Sequence, residues 1–343
     1  MSRESSVRWQ SWVVDRGSWA VLALLMACGA PAGPVEQVTI PAGSSFAVVT
    51  DSLSAHRVIE HPRWFKLLAR VRGLDRSVRA GVYQLARGSS AWSVMDALKR
   101  GDQLMLRITV PEGLTLAEIA PIAKQALEIP IDSFMAAAND PVSASAYVDG
   151  AMSFEGLLLP ETYLVPAGIS ARGLVRIMAQ QGLTAWDPAW SPRLDSLGMT
   201  RLHLLALASI IEGEAQVDSE RPIISAVYWN RIKKGMPLQA DPTVQYAIQI
   251  ATGSRKNRLL LKDYEFRSPY NTYLNTGLPP GPVNSPGRAS IEAALYPAMV
   301  PYLFFVAAGD GHHVFTRTYG EHLRAIARIR RARGPEVEGG TAP

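Results

Sequence analysis

Glu212 and Glu214 close an apolar run, Leu202, Leu204, Leu205, Leu207, Ile210 and Ile211, whose spacing is that of a buried helix. A carboxylate beside a core loses hydration worth several kcal/mol unless it is paired or protonated. Residues two apart do not share a helix face. If one acid enters a cleft, the other must meet solvent or a basic partner. A carboxyl against an apolar wall has its charged form disfavoured and its pKa raised, which suits a general acid. Other chemistries lack their residues. The single cysteine, Cys28, stands near the N-terminus, and there is no Gly-x-Ser-x-Gly, His-Glu-x-x-His, P-loop or helix-opening Gly-x-Gly-x-x-Gly. His312 and His313 are adjacent in a strand-like segment and are expected on opposite faces, which argues against a metal pair. Neither metal nor organic cofactor is expected.

Several elements must position these acids. Ser219 reads as the cap of a helix with Glu220 and Pro222 in its first turn, Ile224, Tyr228 and Ile232 on one face, and a stop at Lys233-Lys234-Gly235. A second helix opens at Asp241-Pro242, so Asp241 reads as a cap; Gln239, just before it, has no such role and is a cleft candidate. "SPYNTYLNTGLPPGPVNSPG", Ser268 to Gly287, is about twenty residues without periodicity, and such stretches in a compact domain are usually functional. Its aromatic rings and amides suit pyranose faces and hydroxyls; a rigid proline-locked loop is the alternative. "SFEGLLLPETYLVP" sets Glu155, Glu161 and Tyr163 around an apolar triplet, as in a buried loop or strand with polar ends. A helical stretch spans Leu174 to Leu183, and "PYLFFVAAGDGHHVF" reads as a hairpin.

The N-terminal half repeats itself. "VTIPAGSSFAVVTDSL", "VYQLARGSSAWSVMDAL" and "ITVPEGLTLAEIAPIA" each predict a strand, a Gly turn and a helix capped by Ser or Thr. "HPRWFKLLARVRG" predicts an amphipathic helix with Trp64, Leu67, Leu68 and Val71 near helical spacing. Such small βα modules resemble LysM domains, which bind glycans containing N-acetylglucosamine; a recurring packing unit is the alternative. The expected fold class is α+β: residues 1–27 a signal peptide or short anchor, 28–37 a linker, 38–106 the LysM-like module, 107–330 a mixed α/β catalytic domain, and 331–343 a flexible tail.

Of 343 residues, 48% are hydrophobic and 19% charged, enough for two cores. The net charge of +5 is scattered, without a basic stripe interleaved with aromatics, so no nucleic acid partner is expected; anionic lipid or polymer suits it at least as well. Arg3, Arg8 and Arg16 precede an apolar run, Trp19 to Ala27, short of the ~20 residues that span a bilayer. It continues into Leu25-Met26-Ala27-Cys28-Gly29, which resembles a bacterial lipobox with Cys28 as the lipidated residue; a short single-pass anchor is the alternative. Either places the remaining chain outside the cytoplasm, at the cell membrane.

"LASIIEGEAQVDSERPIISAVYWNRIKKGMPLQADPTVQYA", the Ser268–Gly287 loop, the hairpin and "EGLLLPETY" together resemble the YceG-like family of endolytic murein transglycosylases, from about Val38 to about Ile329. The resemblance implies a membrane-tethered enzyme that cuts nascent peptidoglycan between N-acetylmuramic acid and N-acetylglucosamine, leaves 1,6-anhydromuramic ends, and works near cell-wall synthases. It assigns the catalytic acid to the second Glu of Glu-x-Glu, Glu214. The expected sugar-holding residues are Gln239, Tyr246, Asn271 and Tyr273, and after them Glu155 and Tyr163. The sequence departs from the family pattern at Gly213, where lysine is frequent, and in the shortness of its N-terminal apolar run. A muramidase using Glu155, Glu220 or Asp241 as second carboxylate, and a non-catalytic glycan-binding scaffold, are the competing readings.

Overall fold

The structure, a computed structural model, describes residues 33–74 and 78–333. The lipidation site expected at Cys28 lies outside them. The chain divides into two compact units, Met1–Met105 and Leu106–Pro343. The architecture is α+β, with helices around three two-stranded sheets among the described residues.

In the first unit, strand β1 (Val35–Ile40) is followed by helices α1 (Phe46–Ala55) and α2 (Pro62–Val71) and by strand β2 (Gly81–Ala86), then by α3 (Ala91–Arg100). β1 and β2 pair antiparallel, Val38 opposite Tyr83. Ser45 and Ser90 accept hydrogen bonds from the backbone N–H of Val48 and Ser93, so each repeat has the hydroxyl cap its sequence predicts. Val38, Leu53, Phe65, Tyr83, Val94 and Leu98 form the core. Of the four apolar residues spaced along α2, Leu68 packs against this core and the other three do not. Phe65 and Ala69 are buried, whereas Trp64, Leu67 and Val71 are 65%, 52% and 80% exposed. An apolar stripe of period 3.6 marks a helix but not which partner covers it.

The second unit begins one residue into β3 (Met105–Thr109), which pairs with β4 (Thr162–Pro166). Helices α4 (Leu116–Leu127), α5 (Ile131–Ala138), α6 (Pro141–Ser145), α7 (Ala171–Thr184) and α8 (Trp190–Leu197) precede α9 (Arg201–Glu214). Thr200 caps α9 through the His203 N–H, and every residue from Leu204 to Ile211 is buried. α10 (Arg221–Lys233), α11 (Asp241–Thr252) and α12 (Arg288–Leu295) follow, then the hairpin β5 (Phe304–Ala307) and β6 (His313–Thr316), antiparallel with Phe305 opposite Phe315. α13 (Tyr319–Arg333) runs three residues into the segment assigned to a tail. Among the described residues no single helix is long and apolar enough to cross a membrane.

Candidate active site

α9 delivers Glu214 to its own last position, where the helix gives way to extended backbone at Ala215. The carboxyl enters a cavity of about 480 Å³ lined by Tyr228, Arg231, Gln239, Asp241, Tyr273 and His313, among others. Tyr228, from the middle of α10, donates its hydroxyl to Glu214 Oε1 at 3.1 Å. Burial foremost, and then the like charge of Asp241, raise the Glu214 pKa to about 7; the Tyr228 hydrogen bond, the Asp241 backbone N–H and the Arg231 charge pull the other way. The buried Arg231 guanidinium is fixed by backbone carbonyls, Nε on Leu303 at 2.7 Å and Nη1 on Leu238 at 2.7 Å.

Glu212 leaves the helix on another face. It accepts from Arg221 Nη1 at 3.1 Å and from the Gly287 N–H at 2.9 Å, so it is the acid with a basic partner. Gly213 between them is dictated by packing. A Cβ there would stand 2.7 Å from Pro242 Cγ, closer than real Cβ contacts allow, so a larger residue needs the start of α11 to move.

Asp241 does not cap α11. The helix has Ala240 at its N-cap position with no side-chain cap, and Asp241 turns into the cavity to accept from Tyr273 Oη at 2.6 Å and Tyr264 Oη at 3.4 Å. Threonines set that register. Thr272 Oγ1 accepts the Ala240 N–H at 3.0 Å and lies 2.9 Å from Thr243 Oγ1, while the Gln239 N–H donates to the Thr272 carbonyl at 3.1 Å. The loop carrying Tyr273 is thereby stitched to the start of α11. Farther on it is pinned to α9, the Val283 N–H donating to Ser209 Oγ at 3.0 Å and Asn284 Nδ2 to the Ser209 carbonyl at 2.9 Å. Much of Ser268–Gly287 is thus rigid scaffold, and Tyr273 is its contribution to the cavity.

Of the sequence-derived candidates, the structure brings Glu214, Gln239 and Tyr273 together. Gln239 is exposed, with a left-handed backbone at φ +50°. The others lie elsewhere. Asn271 is fully buried and commits its amide to the carbonyls of Tyr264 and Phe266 and the N–H of Tyr273, so it holds the loop and not a sugar. Tyr246 is buried edge-on against Tyr270 and pairs with Glu155. Glu155, buried, accepts the Leu116 N–H at 3.2 Å at the start of α4, and burial raises its pKa to about 8. Tyr163 is buried on β4 with its hydroxyl on the Leu159 carbonyl.

Sequence reasoning missed Tyr228, Arg231, Tyr264 and His313. Tyr228 sits in phase with Ile224 and Ile232 and reads as core, and Arg231 reads as an ordinary basic residue of a last turn. The expectation for the histidines also fails: both rings converge on Glu220, His313 Nδ1 at 2.7 Å and His312 Nδ1 at 3.3 Å. Glu220 therefore neither lies in a Ser219-capped first turn nor faces solvent. It ends a short 3-10 turn, Asp218–Glu220, stands at the N-cap position of α10, and anchors the hairpin there. Among the described residues no cluster of three or more His, Cys, Asp or Glu has a geometry to hold a metal. A second cavity of about 330 Å³, lined by Leu157–Leu159, Trp186, Trp190 and Arg201, lies toward the other end of α9 and shares no lining residue with the first.

The sequence profile of the YceG-like family matches residues 38–328. An endolytic murein transglycosylase of Bacillus subtilis is 34% identical over 304 residues, 84% of this chain and 83% of the relative. One of Streptococcus pneumoniae strain D39 is 28% identical over 342 residues, 90% of this chain and 60% of the relative. The crystal structure of a yceG-like protein from Listeria monocytogenes superposes with a TM-score of 0.59 at 31% identity, covering 84% of this chain and 98% of that one. The chain therefore belongs to the YceG-like family.

Proposed function

We propose that this chain, an endolytic lytic transglycosylase of peptidoglycan like its named relatives, cleaves between N-acetylmuramic acid and N-acetylglucosamine with Glu214 as both acid and base. The observation that carries the assignment is Glu214 itself: a half-buried carboxyl facing an open cavity with its pKa lifted to about 7, so that it keeps a proton where an ordinary glutamate has lost it. Glu214 gives that proton to the glycosidic oxygen as the C1–O bond breaks. Positive charge develops at C1 of the muramic residue and is stabilised by the Asp241 carboxylate, which Tyr273 and Tyr264 aim into the cavity. The Glu214 carboxylate then takes the proton of the muramic C6 hydroxyl as O6 bonds to C1. The ring closes, the proton count is restored, and no water is consumed. The intramolecular hydroxyl has the advantage of effective molarity over solvent. Arg231 and Tyr228 steady the carboxylate between the two transfers, and Gln239 and Tyr273 meet the sugars.

Asp241 also favours a second reading. Two carboxylates across one cavity are what a muramidase needs, the second activating water. Product mass separates the two: the anhydro end is one water lighter than a reducing end. Digestion of purified glycan strands is expected to yield anhydromuramic termini, and Glu214→Gln to lose on the order of 10²–10⁴-fold in rate while staying folded. Reducing muramic termini would overturn the ring-closing step, and a loss of tenfold or less the role of Glu214. We assign the N-terminal apolar run and Cys28 to membrane attachment, which puts the cavity outside the cytoplasm beside cell-wall synthases.

A further inference from the structure

Among the described residues of the first unit, one helix face has no partner. On α2 the core takes Phe65, which stacks on Phe46 with ring centroids 5.9 Å apart, and Ala69. Trp64, Leu67 and Val71, at i, i+3 and i+7, form a stripe on the outer side and are all more than half exposed. Arg63, Lys66 and Arg70 each precede one of these residues, so cations line one edge of the stripe. Arg72 extends the charge, its guanidinium 3.7 Å from the ring centre of half-exposed Trp92. Lys66 and Arg72 have acidic neighbours, Asp51 at 3.4 Å and Asp96 at 3.8 Å, but such exposed pairs are weak. Ten Lys and Arg face six Asp and Glu between residues 33 and 105.

We propose that this face of α2 lies on an anionic lipid surface, Trp64, Leu67 and Val71 entering the headgroup boundary and the flanking cations meeting lipid phosphates. The proposal rests on the membrane attachment argued above. Three observations favour lipid over other occupants. Apolar stripe, tryptophan and edge cations are the makeup of an interfacial helix. From His61 to Leu74 there is no Asp, Glu, Asn, Gln, Ser or Thr, so α2 itself brings none of the carboxylates, amides or hydroxyls that orient a sugar, and the nearby carboxylates of Asp51 and Asp96 are paired with Lys66 and Arg72. Finally, Gly33 lines a shallow cavity with Ile59 and Glu60, just before α2 begins. The described chain therefore starts beside the N-terminal end of the helix, and the five residues back to Cys28 reach at most ~18 Å. A chain held in the membrane near Cys28 keeps α2 at the lipid surface.

The test uses the full chain reconstituted into phosphatidylcholine–phosphatidylglycerol vesicles whose acyl chains carry bromine, a contact quencher of tryptophan. Flotation reports attachment, and the difference in quenching between wild type and Trp64→Phe reports the face. The expected result is a floated protein in which Trp64→Phe removes part of the quenched emission. Arg63→Gln with Arg70→Gln is expected to cut the docked-to-undocked ratio roughly 30-fold, from about 1 kcal/mol per surface cation. Cleavage of soluble glycan by these variants verifies folding. A floated protein whose quenching is unchanged by Trp64→Phe would overturn the docking face and leave the anchor standing. A chain that does not float has neither. Trp64 emission that answers to added glycan strands and not to brominated lipid would make the face a sugar platform and end the proposal.

Discussion

Replacing Asp241 by Asn separates its electrostatic role from its shape, because the amide oxygen still accepts from Tyr273, whose hydroxyl lies 2.6 Å from the carboxylate. The like charge of Asp241 is second only to burial among the causes that raise the Glu214 pKa to about 7. Burial is unchanged in Asp241→Asn, so the alkaline limb of the pH–activity profile, set by Glu214, should fall by on the order of one unit, about 1.4 kcal/mol. The sign follows from the chemistry of a general acid. Glu214 must be protonated to act, so activity declines as pH rises through its pKa, and a lower pKa brings the decline earlier. Near pH 5 both proteins hold the proton and differ little on this account; near pH 7.5 the variant should be slower by roughly tenfold. The assay is kcat/KM for release of new glycan termini, measured between about pH 5 and 8. Tyr228→Phe is the counterpart, since it removes a hydrogen bond to the charged form and should move the limb upward. A loss in Asp241→Asn that is the same at every pH would refute the charge argument and leave Asp241 acting on the substrate alone.

Glu212→Gln should damage stability and not chemistry: it leaves the buried Arg221 short of a partner, which in a buried pair costs about 3–5 kcal/mol, nearer the lower figure because Asp218 stays 3.1 Å from Arg221 Nε. Denaturant unfolding reads that loss, and activity per folded molecule should remain near wild type. Glu155→Gln should stabilise increasingly with pH: between about pH 4.5 and 8 folded Glu155 keeps a proton that the unfolded chain has lost, so wild-type stability falls across that window and the variant's does not. Parallel stability curves for the two proteins would show that Glu155 ionises normally.

The sequence carries the scaffold well because its signals are local. The three Pro/Gly-turn repeats, the apolar run of α9, the hairpin and the Glu-x-Glu pair each lie within about a dozen residues, where spacing and capping chemistry act directly. The cavity is less legible because it is assembled across the chain. Asp241 is the clearest case. Asp followed by Pro is the local pattern of a helix start, and the helix does start there, but Tyr264 and Tyr273, more than twenty positions on, decide where the carboxylate points. Asn271 fails in the opposite direction: an amide in a loop rich in aromatics resembles a sugar contact, while the loop's own carbonyls, sealed from water, claim it first. Of two neighbouring polar residues in one irregular segment, the buried one holds the segment and the half-exposed one serves the cavity, a difference that rests on burial and not on residue type.

The two glutamates of α9 follow the same rule. Both end a helix too apolar to tolerate bare charge, and each resolves that conflict differently. Glu212 is paired: Arg221 Nη1 lies 3.1 Å from its carboxylate, and the N-terminal end of α12 supplies an N–H. Glu214 is offered a tyrosine hydroxyl, an arginine already occupied by carbonyls, and a second carboxylate. These partners are too weak to hold it ionised at neutral pH and sufficient to orient it. Gly213 makes the division possible, since a side chain there would push α11, and Asp241 with it, away from the helix end. Any larger residue at this position therefore requires a differently seated α11. The spacing of Asp241 from the acid, and with it the pKa of Glu214, is set in this chain by the absence of one Cβ.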